Sequence, residues 1–298
     1  MRNVFRPEPK PDSKSPEDRS GDGRYAWQPI TFHGVAVFAA ASYQRLFWVQ
    51  TFFAVLCAAA VEWGLSSAWT PVVRSAVRSL PNEPSTRAGQ LMYPPSAALL
   101  LSESRHLAIL LKPEGVGSET GATQAAAADV RIEFQPHAVR VCSLFGCVLR
   151  PYSKGQTICF TRPEAIPWWD AWEPILLGIV AIITALFFMA VWTLLAAGTF
   201  LFVRLYGYFA DRQLTVGGAW RLSAAAFLPG ALALIAALVL YVLGIADLIR
   251  FLLAIPGHLL IALIYLVFAP LRLPRIPTVA PPSLNPFTEA REPDKTSG

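Results

Sequence analysis

Residues 168–203 read WWDAWEPILLGIVAIITALFFMAVWTLLAAGTFLFV, and after Glu173 no charged side chain appears until Arg204. A helix needs about 20 consecutive apolar residues to cross the hydrocarbon core of a bilayer, and this run exceeds that. Two further apolar runs follow, residues 219–242, interrupted only by Arg221, and residues 251–271. The block from 168 to 271 therefore reads as three membrane-spanning helices. Trp168, Trp169 and Trp172 mark its leading edge, because amphipathic indoles prefer the headgroup level.

Working outward, residues 46–69 supply an earlier span, with Trp48 at one end and Trp63 and Trp69 at the other. Glu62 is its one acid, and an intramembrane carboxylate is a candidate for function. Its position beside Trp63 near the outer end suits a side chain that reaches water instead. Residues 30–43 are small and apolar, and predict a short helix along or entering the interface. The spans thus group as residues 30–69 and 174–273. The flanking segments, 1–29 and 274–298, are rich in Pro, Ser and charge and predict disordered tails. Glu8, Asp12, Glu17, Asp18 and Asp22 interrupt the basic residues of the first tail, which argues against a nucleic-acid arm.

The totals agree with a membrane protein: 54% of residues are apolar and 15% charged. The net charge of +5 comes largely from basic residues beside the spans, with no basic cluster of the nucleic-acid-binding kind. Arg24 and Arg45 precede the first span. Arg204 and Arg212 lie between the second and third, and Arg272 and Arg275 follow the fourth. With four spans these positions share one side, which the positive-inside rule makes cytoplasmic. Both termini are then cytoplasmic, the chain is a multi-pass protein of the inner membrane, and residues 70–173 form an extracytoplasmic domain.

That domain opens with PVVRSAVRSL, residues 71–80, whose apolar spacing predicts a helix ended by Pro81 and Pro84. Residues 105–112, 130–135 and 138–144 predict strands, with Gln135-Pro136-His137 turning the last two into a hairpin. Residues 115–128 read as a flexible loop without a phosphate-binding signature. The expected fold is a four-span membrane α-helical bundle carrying an inserted α+β, β-rich domain.

Three stretches resemble an uncharacterised group of bacterial membrane proteins related to the Yip (Rab-interacting-protein-like) membrane domain. They are Trp69-Thr70-Pro71 with Ser79-Leu80-Pro81, the WWDAWEP run ending at Pro174, and LTVGGAWRLSAAAFLPG at 214–230. The resemblance implies a helical membrane bundle with an extracytoplasmic insert and no established activity. The insert and its cysteines depart from the compact Yip layout, so the small-GTPase partner of eukaryotic Yip proteins does not transfer.

Four cysteines are present, Cys57, Cys142, Cys147 and Cys159, with no CxxC spacing of a metal site. Cys142 and Cys147 flank Ser-Leu-Phe-Gly, in which Gly146 can adopt the positive φ of a tight turn. If strands flank it, the sulfurs face each other across a hairpin in an oxidising compartment, where a bridge persists. Cys159 is an alternative partner for either.

His258 lies in Pro256-Gly257-His258 of the fourth span, where a broken helix would expose carbonyls and an imidazole to an ion path. An interfacial histidine near a helix end is the simpler reading. Asp247 and Arg250 stand one turn apart and are expected to pair. In the third span Ala226, Gly230, Ala233 and Ala237 share one helical face, with Gly244 continuing the stripe. Small residues permit close backbone approach, so they predict a helix-packing seam onto the second or fourth span, aimed by a bend at Pro229.

No catalytic motif, metal set or cofactor signature emerges. The chain reads as a non-enzymatic membrane scaffold or interaction protein, its partners the lipid bilayer and a protein met by the external domain. The alternative is a small transporter or channel with a polar path near Glu62 and His258.

Overall fold

The computed structural model describes residues 28–80, 86–87, 90–91, 99–111, 128–152 and 161–276. The first tail, the loop at 115–127, Cys159 and most of the second tail fall outside the described residues.

A six-residue helix, α1 (Phe32–Val37), begins at Thr31, whose hydroxyl accepts from Gly34 N. The sequence predicts a short helix along or entering the interface, and within the protein Val35 and Phe38 are fully buried in the bundle core. α1 touches the helices that carry the third and fourth spans and acts as a plug in the bundle.

The first span, α2 (Tyr43–Gly64), is capped by the Ser42 hydroxyl. One π turn, Leu65–Trp69, joins it to α3 (Thr70–Arg78), so span and entry helix form one rod, residues 43–78. Pro71 sits at the junction and cannot donate to the preceding turn, which explains why the helix widens instead of continuing regularly. The sequence suggested two separate helices there.

The sheet domain follows. A two-stranded ribbon, β1 (Thr86–Arg87) and β2 (Gln90–Leu91), precedes a five-stranded sheet. Its strands are β3 (Leu99–Glu103), β4 (Leu107–Leu111), β5 (Val130–Phe134), β6 (Ala138–Ser143) and β7 (Gly146–Pro151), adjacent in sequence order. All pairs are antiparallel except β4 with β5. The alternation of β4 sorts its residues by face: Leu107, Ile109 and Leu111 meet Val72 and Ala76 of α3 and Leu80 just after it. α3 covers β3 and β4, leaving the far strands open.

The second span is the 48-residue helix α4 (Arg162–Phe209). At 1.5 Å per residue it is about 72 Å long, against about 30 Å of hydrocarbon. Its first turns pack on the sheet domain through Ala165, and Arg74 Nη2 of α3 contacts both Glu173 carboxylate oxygens at 2.7 and 2.9 Å. Glu173 is the main reason the Arg74 guanidinium is held more firmly protonated than usual, first through this hydrogen bond and then through its charge. The WWDAW run is helical, and Trp168 and Trp172 stand on one exposed face, 6.3 Å apart.

The third span is divided into α5 (Val216–Ala226) and α6 (Leu228–Val242), with Phe227 between them. Pro229 has no N–H for the Ala225 carbonyl, and the break falls there. α5 packs mainly on α4, and α6 mainly on the fourth span, α7 (Leu248–Phe268). α7 runs unbroken through Pro256. A short 3₁₀ turn, Pro270–Arg272, follows it. Residues 274–276, which the sequence assigns to a tail, are ordered. Gln213 N donates to the Pro274 carbonyl at 3.1 Å, and Ile276 N to the Asp211 carbonyl at 2.8 Å. Asp211-Arg212, read from the sequence as a solvated loop, is thus a turn fixed by these hydrogen bonds.

Among the described residues four helical rods, 43–78, 162–209, 216–242 and 248–272, are long and apolar enough to cross a membrane. Small side chains fill much of their shared core: Ala54, Ala196, Ala219, Ala224, Ala225, Ala226, Ala231 and Ala262 are all buried.

Candidate functional site

Two features of the sheet domain stand apart from ordinary packing: its junction with the bundle, and its far hairpin. The junction begins at the tight turn between β3 and β4. Ser104 holds that turn, its hydroxyl accepting from His106 N and Leu107 N at 3.3 and 3.2 Å. The turn pushes Arg105 outward, and its guanidinium donates to two carbonyls of the α6–α7 connection, Gly244 and Ala246, the second at 3.2 Å.

Those carbonyls are presented by a glycine-terminated helix end. Gly244 N donates to the Tyr241 carbonyl and Ile245 N to the Leu240 carbonyl, both at 2.9 Å, with Gly244 at φ +74°. This is the Schellman arrangement, which requires a left-handed residue after the helix. Gly244 therefore ends α6, and does not extend the packing stripe as its spacing suggested.

His106 lies beside this contact and is buried. Its ring stacks obliquely on Tyr241, centroids 4.5 Å apart, and Tyr241 stacks in turn on Phe251 of α7. Asp129, just before β5, joins both: Tyr241 Oη donates to Asp129 Oδ2 at 2.7 Å, and His106 Nδ1 lies 3.3 Å from the same oxygen. A carboxylate, imidazole and phenol in sequence can relay a proton. Here one oxygen receives both partners and the imidazole is covered by Tyr241, so the trio serves as a fastening between domain and bundle.

At the other edge of the sheet, Cys142 and Cys147 are directly opposite in the β6–β7 register and form a disulfide. The connection between strands is Leu144-Phe145, shorter than the four residues separating the cysteines, and Gly146 takes φ +115°. Every residue of β7 is exposed, Val148 at 70%, and Phe145 in the connection before it is 82% exposed. On the outer sheet face Glu133 is buried between two arginines, Arg131 Nε at 2.9 Å and Arg140 Nη1 at 3.8 Å.

No family model, curated protein or solved structure matches this chain. The likeness to the Yip-related group rests on the stretches that suggest it.

The remaining residues singled out from sequence are spread along the bundle. Ala226 and Gly230 are buried and Ala233 and Ala237 half-buried. A Cβ on Gly230 would lie 2.5 Å from the His258 carbonyl oxygen, so α6 and α7 meet backbone to backbone there. His258 is buried, with Nδ1 bonded to the Ile255 carbonyl of its own helix. Glu62 is half-buried on α2 and pairs with no described basic residue. The neighbouring Gly64 packs on Val242, at the opposite end of α6 from Gly230. These ends are about 18 Å apart along the helix, so Glu62 and His258 are not brought together. Asp247 caps α7, accepting from Arg250 N at 2.8 Å, and lies 3.7 Å from the Arg250 side chain.

Sequence reasoning missed Arg105, Asp129 and Tyr241. Arg105 opens a predicted strand, Asp129 precedes another, and Tyr241 lies near the end of an apolar run. No local spacing connects them.

Proposed function

We propose that this protein is a membrane scaffold that holds a small sheet domain rigidly on a four-span anchor and presents its outer hairpin to a protein partner. The observation that carries the reading is β7. It is the outermost strand of the sheet, exposed at every position, and among the described residues nothing pairs with its free edge. Unpaired edge backbone offers hydrogen bonds to an added strand, and natural sheets usually blunt such edges. Here the edge is stiffened by a disulfide and tipped with Phe145, an aromatic anchor of the type that dominates binding energy. The fastening at Arg105 and Asp129 suits this role because it orients the hairpin before any encounter.

The small-residue bundle core favours a scaffold over a transport path, as does the distance between Glu62 and His258. We further propose a multi-pass bacterial inner-membrane protein with cytoplasmic termini and an extracytoplasmic sheet domain. Arg45, Arg204, Arg212, Arg272 and Arg275 support that orientation. A bridged Cys142–Cys147 pair accords with an oxidising compartment. A phosphatase fused near residue 121 should be active, and one fused at Gly298 inactive.

Photo-crosslinking in membranes tests the partner. A reactive amino acid at Phe145 or Val148 should yield a discrete protein adduct, whereas one at Leu186, on the apolar surface of α4, should yield lipid. Equal products at these positions would remove the hairpin from the proposal.

A further inference from the structure

At the end of the bundle away from the sheet domain, a cavity of about 960 Å³ opens between the last turns of α4, the start of α5 and the segment after α7. Three arginines line it: Arg204 from α4, Arg212 from the α4–α5 connection and Arg221 from α5. Among the described residues no acidic side chain belongs to its wall. Each guanidinium is aimed by a backbone carbonyl, Arg204 by Leu214, Arg212 by Leu273 at 2.6 Å and Arg221 by Ala39 at 2.7 Å. Arg221 also lies over the Tyr43 ring, 4.7 Å from its centroid. These contacts hold the cations in place without neutralising them.

Two donors are left over. Arg212 Nε and Arg221 Nε are buried and have no hydrogen-bond partner among the described residues. Three guanidiniums with no carboxylate among the described lining residues leave the positive charge of the cleft without a partner, which an anionic ligand would balance. The N-terminus of α5 adds to the demand. Thr215 and Val216, its cap and first residue, line the cavity, and a helix N-terminus presents partial positive charge.

The remaining wall selects among anions. Leu201, Leu205 and Tyr208 recur at spacings of four and three along α4, forming one exposed stripe that runs from the cavity along the apolar surface of the helix. A free phosphate would use only the arginine end. A phosphate esterified to a diacylglycerol would use both, its oxygens among the guanidiniums and an acyl chain along the stripe. We propose that this cleft is a binding site for the head group of an anionic phospholipid. The proposal rests on the membrane placement of the spans and is independent of what the hairpin binds.

The test uses the full chain in phosphatidylcholine nanodiscs with and without phosphatidylglycerol, reading thermal stability and the lipid retained on extraction. Phosphatidylglycerol should be retained in preference to phosphatidylcholine and should raise the unfolding temperature. Arg204→Gln and Val216→Glu alter exposed cleft side chains, and each should lower the preference about fivefold, the effect of one charge near a lipid surface, with the unfolding temperature in phosphatidylcholine alone showing that the fold is kept. Arg272→Gln, at the same end but outside the cleft, should leave it intact, and inorganic phosphate should not compete. The proposal is overturned if phosphatidylglycerol has no effect on the unaltered chain, or if both cleft variants keep the preference. It is equally overturned if Arg272→Gln lowers the preference as much, which marks diffuse surface attraction, or if inorganic phosphate competes, which marks a free-anion site.

Discussion

Gly230 of α6 faces the main chain of His258 in α7 so closely that a Cβ on the glycine would stand 2.5 Å from the His258 carbonyl oxygen and 3.2 Å from its carbon. Lipid offers helices no hydrophobic reason to associate, so such backbone contact is a main source of their attraction. The obstacle here is backbone on both sides, and no side chain can swing away. Gly230→Ala should therefore already destabilise the bundle by about 1–3 kcal/mol, the usual cost of overpacking, and Gly230→Leu should prevent assembly. Leu232→Ala, at a half-buried position, should be mild. Thermal unfolding in detergent with size-exclusion analysis measures all three, and equal behaviour would mean that α6 and α7 are held elsewhere.

Asp211 has φ +53° and ends α4 by the device that Gly244 uses for α6, with Arg212 N donating to the Gly207 carbonyl at 2.9 Å. Left-handed backbone costs a non-glycine residue about 1 kcal/mol, least for Asp and Asn. Asp211→Gly should thus preserve or slightly raise stability, while the β-branched Asp211→Val should lower it by more than about 1 kcal/mol. Loss of stability in the glycine variant would show that the carboxylate itself matters.

Tyr152 packs against the sheet core with its hydroxyl buried and without a partner among the described residues. Burial pushes its pKa up to about 12. The folded value lies above the unfolded one of about 10, so the folded state disfavours the phenolate. This group's contribution is complete below pH about 10 and is lost as pH rises towards about 12. Tyr152→Phe removes an unsatisfied polar atom and should cost nothing, or gain up to about 1 kcal/mol. Denaturation at about pH 9 and pH 11 should show a flatter alkaline decline in the variant. A clear loss of stability at neutral pH would mean that the hydroxyl is bonded.

The four long apolar helices were legible because their signal is additive over many residues: no single side chain decides whether 175–203 is apolar. β5, β6 and their hairpin were legible through alternation and Pro136. β3 escaped notice because Leu99, Leu100 and Leu101 do not alternate, and β7 was visible only through the cysteine spacing. Of the seam residues, Gly230, Ala233 and Ala237 lie on α6 while Ala226 ends α5, so the single helical face read from the sequence is divided by the break at Phe227, a tertiary outcome. The arginines of the cleft were visible singly as topology markers. Their convergence depends on residues 273–276 folding back onto Arg212 and Gln213, which a Pro-rich composition does not announce. The junction was least legible, because Arg105, Asp129 and Tyr241 come from three separate stretches.

That junction yields the last prediction. Asp129 Oδ2 is the shared acceptor for Tyr241 Oη at 2.7 Å and His106 Nδ1 at 3.3 Å, while Arg105 grips the α6–α7 connection independently. Asp129→Ala leaves two polar groups without their acceptor, whereas Tyr241→Phe removes one partner and leaves Asp129 its contact with His106. The alanine variant should therefore be the more damaging, by about 1–3 kcal/mol, and the double variant should be less than additive because the two residues share one bond. Arg105→Ala should weaken the same junction additively, since its carbonyl partners lie outside that bond. The readout is hydrogen exchange in β3, the start of β5 and the α6–α7 connection, which should rise together as the domain lifts. Exchange in α3 should stay protected, because Arg74–Glu173 and the apolar contacts of Val72 and Ala76 do not depend on Asp129. If Asp129→Ala leaves exchange unchanged at the α6–α7 connection, then α3 and α4 alone fix the domain, and the hairpin is not oriented through this contact.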